Sequence, residues 1–552
     1  NEARKELLED SESLGSLSDQ DDSSADTGQA ATLASADFNI EPHSKKFRVA
    51  DADVSFVKFS APSARLPVDG GPNKHRMLRG ALLWLPSAED RKAAAEPFRT
   101  EIGGRCALHS PAALKAVLGI ADCSKSQVEA LIPVEPPSKA YSWCYCGHQN
   151  GSFSGQLGDG AAMCAMLEGQ HWELHWKGCG RTAFSRPGPK TDGRKMISEC
   201  VREFLMTEAM AALGVPAARS LAIFKASGTS GTAEPAGLLL RACPGPVGMV
   251  RFGTFDVANG PELDIRTCRE GPSPGEGALI SALVAAFTEH MDVSPCAAAA
   301  CLLRTACHRN AELAARWAAL GFVHGMLNTD NCHVLGVGID LAGGRFLGVF
   351  DGTDDAGGPA ALRGRYAFRR QAAALHWGLQ KLAVALSRGA HVLPADEATD
   401  IVRTFPRLYH AAWLREMRAK LGISSVHASS SAAELEGLER NDRLLVKRLL
   451  HTMEVTFTDF TTTFRCLSPL PRDGAAMLAC LRDAGAPPLK PESRAELLRA
   501  RASRVRPVKT RAMLQELMQT LDGSKDSHKL QIRISTMMSK HDEAASLEEA
   551  AC

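Results

Sequence analysis

The sequence predicts an α+β chain, β-rich in its N-terminal half and mostly helical in its C-terminal half. Three observations carry that reading. Trp172, Leu174 and Trp176 alternate with Glu173, His175 and Lys177, the period of two expected of a strand. Within "RKMISECVREFLMTEAMAALGVP", Met196, Ile197, Cys200, Val201, Phe204 and Leu205 recur at helical spacing. From about residue 275 onward the chain is rich in Ala and Leu, with apolar residues at helical intervals.

The elements follow in order. "FVKFSAP" and "GALLWLP" read as strands or buried segments, and "SPAALKAVLGI" as a short helix. A Gly-rich polar stretch, "YCGHQNGSFSGQLGDGAAMCAML", runs from 145 to 167 into an apolar one. The strand around Trp172 comes next, then the helix, with Gly214 just past its end and Pro216 after it. "SLAIF" and "AGLLLRA" read as paired strands joined by "KASGTSGTAEP". "NAELAARWAALGF" is a helix leading into "GFVHGMLNTDNCHVLGVGID". There "HVLGVGID" reads as a strand ending at Asp340, "LAGG" as a turn and "RFLGVF" as the return strand. "YAFRRQAAALHWGLQKLAVAL", "LYHAAWLREMRAKLG" and "NDRLLVKRLLHTMEVTFTDFTTTFRCL" read as further helices. Residues 1–36, acidic and poor in aromatics, read as disordered. The boundaries expected are then 1–36, 37–252, 253–480 and a charged helical extension, 481–552.

Composition narrows the function. At 552 residues, 45% hydrophobic and 23% charged, the chain has the make-up of an ordinary globular protein. A formal charge of +1 gives no bulk attraction for nucleic acid, and none is expected as a partner. No apolar run reaches the roughly eighteen residues of a membrane-spanning helix, so no membrane insertion is expected. The sixteen cysteines hold a Cys144-x-Cys146 but no paired CxxC knuckles, which argues against structural zinc and for buried, reduced thiols. The chain starts at Asn1 without Met, as a fragment or processed form would, and its acidic start argues against an intact transit peptide.

Four constellations bear chemistry. In "QLGDGAA", Gly158 and Gly160 bracket Asp159, and such glycines let backbone N–H groups approach a phosphate. An ordinary tight turn is the alternative. Lys177 ends a strand and Glu203 sits on the next helix, the pairing by which protein kinases aim a cation at nucleotide phosphates. Two solvated charges are the alternative, although Arg181, Arg186 and Arg194 in the connecting loop add donors suited to a polyphosphate. Arg241 and Arg251 flank "ACPGPVGMV", and Arg241 alone is uninformative. Asp330, Asn331 and Asp340 make a hard, oxygen-rich set of the kind that holds Mg²⁺ with substrate phosphates, against the alternative of a capped polar loop.

In this order the constellations resemble one family, selenoprotein O (the SelO/YdiU group), kinase-like proteins that transfer AMP to other proteins. The resemblance rests on "CGHQNGSFSGQLGDG", "LHWKGCGRTAFSR", "VREFLMTEAMAALGVPAARSLAI", "LLLRA" with "VRFGTF", and above all "GFVHGMLNTDN". It spans roughly residues 140–470, with "DFTTTFRCL" supporting it downstream. It implies a protein-kinase-like two-lobe fold, with 37–252 as a β-rich N-lobe and 253–480 as a mostly helical C-lobe. It implies ATP and Mg²⁺, or Mn²⁺, as cofactors and protein hydroxyls as acceptors, with mitochondria as the compartment and the cytoplasm as the alternative. Lys177 resembles the nucleotide lysine and Glu203 its partner. Gly158, Gly160, Asp192 and Gly193 resemble nucleotide contacts, and Arg241 and Arg251 the phosphate arginines. Asp330 resembles the proton acceptor, Asn331 and Asp340 the metal ligands. ATP in this family lies flipped relative to ordinary kinases, which puts the α-phosphate before the incoming hydroxyl.

The chain departs from the family where GDGR becomes "GDGA", so Ala161 replaces an arginine. "SRPGPKTDGR" is lengthened, "RACPGPVGMVRFG" carries a short insertion, and "FDGTDDAGGPA" lacks the usual loop. Cys552 is either a counterpart of the family's C-terminal redox residue or incidental. Two rival readings stay open: a conventional kinase, which the missing HRD and DFG oppose, and a catalytically silent nucleotide-binding scaffold, which the loss at Ala161 favours.

Overall fold

The computed structural model describes residues 106–467 apart from intervening segments, the longest 259–276. It also describes three two-residue strands, Phe56–Val57, Ser63–Ala64 and Leu83–Trp84. The acidic segment 1–36, the extension 481–552 with Cys552 and most of the lengthened loop after Ser185 lie outside the described residues.

The protein is mixed α/β, with its main sheet drawn from the N-terminal half and its long helices from the C-terminal half. The main sheet has seven strands: β1 (Phe56–Val57), β2 (Cys106–His109), β3 (Ala162–Leu167), β4 (Trp172–Lys177), β5 (Lys195–Met196), β6 (Arg219–Thr229) and β7 (Pro235–Pro244). Its order is β1-β3-β4-β7-β6-β2, with β5 pairing β7, and every pairing is antiparallel. The β4 alternation is realised, but both its faces are covered. Leu174 and Trp176 are buried on one side, Glu173 and His175 on the other. Polar residues in that second position are therefore held by partners rather than by water.

The helix α2 (Ile197–Ala212) forms as its spacing predicts, and Ile197, Cys200, Val201 and Phe204 pack on Leu108, Ile223 and Leu239 of the sheet. It ends as expected, with Gly214 in the left-handed region at φ 70°. A second brace joins α2 to the helix α1 (Pro111–Leu118). Ser110 caps α1 by accepting from Ala113 N, and its hydroxyl donates to Glu208 Oε2 at 2.7 Å. The C-terminal half is built on α3 (Pro295–Leu320), flanked by α4 (Gln371–Val384) and α5 (Phe405–Leu421). Ser294 caps the start of α3 and Gly321 its end. The last predicted helix is two, Ala432–Thr456 and Phe460–Leu467. The described cysteines are free thiols, mostly buried, and no described helix is long and apolar enough to cross a membrane.

The expected hairpin fails in both arms, and of "RFLGVF" only Arg345–Phe346 is strand. "HVLGVGID" is not a strand but a loop with single bridges, His333 to Arg251 and Gly338 to Ala217. Gly336 at φ 65° and Asp340 at φ 54° break an extended run, and the chain instead touches a different element at each bridge. The true pairing is short, Phe322–Val323 against Arg345–Phe346.

Phe204 is fully buried between α2 and the sheet. Phe204→Ala is expected to cost about 3–5 kcal/mol, read as a lowered urea midpoint.

Candidate functional site

Lys177 ends β4, and its Nζ lies 2.7 Å from Glu203 Oε2 on α2 and 2.7 Å from Asp340 Oδ1. Arg241, on the neighbouring β7, is 1% exposed and donates through Nη1 to both Glu203 Oε1 and Asp340 Oδ1, the latter at 2.9 Å. Arg251 lies on the turn before the short helix Phe252–Phe255. Its Nη2 reaches Asp340 Oδ2 at 3.1 Å and its Nε donates to the main-chain oxygen of Asp330 at 2.8 Å. The guanidinium stacks 4.8 Å over Tyr145. Asp340 is therefore gripped by three cations from three elements. Burial pushes its carboxyl up, but Lys177, Arg241 and Arg251 outweigh this and hold it well below the usual range. Glu203 is likewise driven up by burial and brought down on balance by Arg241 and Lys177.

Asp330 lies on a 3₁₀ turn, Thr329–Asn331. Its Oδ2 accepts from Gln149 Nε2 at 3.2 Å, while its buried Oδ1 has no hydrogen-bond partner. Burial is the main influence and leaves the carboxyl raised, with Gln149 opposing. Arg251 Nη1 is also buried without a partner. An unpartnered donor and an unpartnered acceptor thus lie on two residues already in contact, since Arg251 Nε donates to the main-chain oxygen of Asp330.

The rest of the polar run holds this loop in place. His324 N donates to Gln371 Oε1, and its ring Nε2 meets the main-chain oxygen of Ile339, next to Asp340. Asn328 Oδ1 accepts from Asn150 N and from Tyr366 OH. Thr329 donates to Asp256 Oδ2 at 2.7 Å and accepts from His148 N, and His148 Nδ1 lies 3.0 Å from the same Asp256 oxygen.

The other predicted residues lie around this centre with different roles. Gly158 and Gly160 sit against Phe184 and Ser185. An added Cβ on Gly158 would lie 2.5 Å from the Phe184 ring, so packing alone demands glycine there. Asp192 and Gly193 close the turn beside Gly180, with Asp192 Oδ1 accepting from Arg194 N. Asn331 donates to the main-chain oxygen of Met326, which leaves its amide oxygen as the ligand atom it can offer. Asp340 likewise offers only oxygen, the donor type that a hard cation such as Mg²⁺ takes.

A family profile described as protein adenylyltransferase SelO matches residues 100–477. The chain belongs to the SelO family. Mouse protein adenylyltransferase SelO, mitochondrial, is 35% identical over 423 residues, covering 70% of this chain and 59% of the mouse protein. The human protein of that name is 35% identical over 433 residues, 74% of this chain and 61% of its own. Protein nucleotidyltransferase YdiU of Pseudomonas entomophila is 35% identical over 350 residues, 59% of this chain and 62% of the bacterial protein. The chain thus spans about three fifths of the length of these relatives.

Several residues of this SelO-family site went unread in the sequence. Asp159, His175 and Glu173 are buried beside it. Glu173 and His175 share the β4 face of Lys177, a spacing visible in the sequence, and Asp159 stood between the two glycines. His148 and Gln149 lie in the quoted "CGHQNGSFSGQLGDG", but nothing local to them or to Asp256 showed that the fold brings them to residues 329 and 330.

Glu173 accepts from Tyr141 OH, Trp143 Nε1 and Met249 N, yet burial pushes it up from 4.5 to about 7. The folded chain therefore keeps a proton that the unfolded chain sheds near 4.5. Stabilisation from this group is full below 4.5 and lost as pH rises through about 7. Chemical unfolding across that window is expected to show a falling contribution in the wild type that Glu173→Gln lacks.

Proposed function

We propose that the chain is a Mg²⁺-dependent protein adenylyltransferase, moving AMP from ATP to Ser, Thr or Tyr hydroxyls of other proteins. The observation that carries the reading is the largely buried cluster centred on the half-buried Asp340, with the orphaned Arg251 Nη1 and Asp330 Oδ1 nearby. The proposed architecture is kinase-like and two-lobed, 37–252 forming one lobe and 253–480 the other, with the cluster at their junction. Membership of the SelO family supports both statements. The mouse, human and zebrafish relatives are named mitochondrial, and the same compartment is proposed here, with the cytoplasm as the alternative.

In this reading Lys177, Arg241 and Arg251 bind the phosphates, exchanging Asp340 for phosphate oxygens. Glu203 keeps Lys177 and Arg241 aimed during that exchange. Gly158, Gly160, Asp192 and Gly193 shape the loops around the nucleotide. The substrate hydroxyl oxygen bonds to the α-phosphorus, the bond to the bridging oxygen breaks, and pyrophosphate leaves. Asp330 takes the hydroxyl proton, and a raised carboxyl suits a proton acceptor.

The charge count favours a divalent cation. Lys177, Arg241 and Arg251 already meet three carboxyl groups, those of Glu203, Asp340 and Asp159. A triphosphate added to that set needs further positive charge. Asp340 and Asn331 would hold the ion, which would neutralise charge on the phosphates.

The test is label transfer with ATP carrying the label at the α or the γ position. Label from the α position alone, abolished by Asp340→Ala, is the expected result. Asp330→Asn is expected to lower kcat by roughly 10²–10⁴ with little change in KM for ATP. Label from γ alone would mean a conventional kinase. ATP binding without either label would mean a silent scaffold.

A further inference from the structure

The strand register lines up Cys164, His175 and Arg241 in one row across β3, β4 and β7. All three are buried, and so is Asp159 just before β3. Arg241 Nε donates to His175 Nδ1 at 3.1 Å. On the other side of the ring, His175 Nε2 faces Asp159 Oδ2 at 3.8 Å. The second oxygen, Asp159 Oδ1, lies 3.8 Å from Arg251 Nη2. Asp159 is itself fixed by its main chain, which donates to Trp143 O at 3.0 Å and accepts from Thr182 Oγ1 at 2.6 Å.

This cluster has two physical readings. Asp159, Cys164 and His175 bring three metal-ligand atoms within 4.8 Å of one another. Arg241 decides against a metal. A guanidinium only donates, so His175 Nδ1 accepts and carries no proton. The neutral ring then bears its proton on Nε2, the atom a metal would need. Two adjoining guanidinium cations repel a metal further.

We propose that His175 and Asp159 are positioning residues for the phosphate arginines: His175 Nδ1 anchors Arg241 by its Nε, and Asp159 faces both the His175 N–H and Arg251. This rests on the reading that these arginines bind ATP. Anchoring through Nε leaves the Nη atoms of Arg241 to Glu203 and the ligand, and one carboxylate links the ring that holds Arg241 to Arg251. The 3.8 Å contacts are electrostatic pairings rather than hydrogen bonds. Burial and Arg241 push His175 down to about 4, so it stays a neutral acceptor across the neutral range. Preorganised donors of this kind need no rearrangement when charge arrives.

The experiment compares the full chain with His175→Leu, His175→Asn and Asp159→Asn, with Mg²⁺ present. ATP affinity is read by titration calorimetry and folding by thermal melting. His175→Leu is expected to weaken ATP binding about tenfold, the loss of one charge-assisted hydrogen bond. His175→Asn, which offers an acceptor near the Nδ1 position, is expected to recover most of that. Asp159→Asn is expected to weaken binding less than His175→Leu. A folded His175→Leu that binds ATP like the wild type would overturn the proposal, as would equal losses in His175→Leu and His175→Asn. If His175→Leu does not fold, imidazole nitrogen NMR of the wild type decides: the Nε2–H tautomer is expected, and Nδ1–H overturns it. Stoichiometric metal lost on His175→Leu would also overturn it. Wild-type chain that binds ATP but transfers no α-label sinks the adenylyltransferase reading alone, since affinities still test the anchor. Wild-type chain that binds no ATP sinks both.

Discussion

Everything near the site depends on Asp340. A lone buried carboxylate is costly, and so is a lone buried guanidinium. Here each is tolerated because the others are present. Lys177 comes from one strand, Arg241 from the next, Arg251 from a turn, Glu203 from α2 and Asp340 from the loop after α3. Asp340 accepts a left-handed backbone to reach them, a conformation that side chains other than glycine rarely adopt. The cluster therefore ties the sheet of the N-terminal half to the loop of the C-terminal half. It also holds Lys177, Arg241 and Arg251 paired with carboxylates rather than with water.

Around this charged centre lies a second, nearly neutral layer. His324, Asn328 and Thr329 do not join the cluster; they spend their hydrogen bonds on Gln371, Tyr366, Asn150, Asp256 and Ile339. Those bonds set the loop so that Asp330 and Asp340 flank Arg251. The site is thus a division of labour. Charged groups face one another, while amides, hydroxyls and imidazoles hold the backbone that carries them. Satisfied buried networks of this kind rigidify what they touch.

Asp159 and His175 belong to both layers. They touch the arginines, yet they are bound into the sheet and the turn before β3. Ala161 stands two residues from Asp159, where the resembling motif has an arginine. The cations that remain nearby are held in place by side chains of neighbouring elements.

Taken alone, the sequence determined what is local. The period of β4, the apolar stripe and Gly214 stop of α2, and the helical C-terminal half are consequences of residue spacing, which acts through neighbours a few positions away. The density of Asp, Asn and His at 324–331 marked the loop, and its motif marked the family. Tertiary structure decided what is not local. Two left-handed residues and bridges to distant elements overrode the apolar pattern that reads "HVLGVGID" as a strand. Packing on Phe184 accounts for the glycine at 158, which the sequence offered only as a phosphate contact or a turn. Asp256 and Gln149 became parts of the site only when the fold brought them to residues 329 and 330. A polar side chain's partner is then whichever group folding brings within hydrogen-bond reach, and no spacing in the chain encodes it.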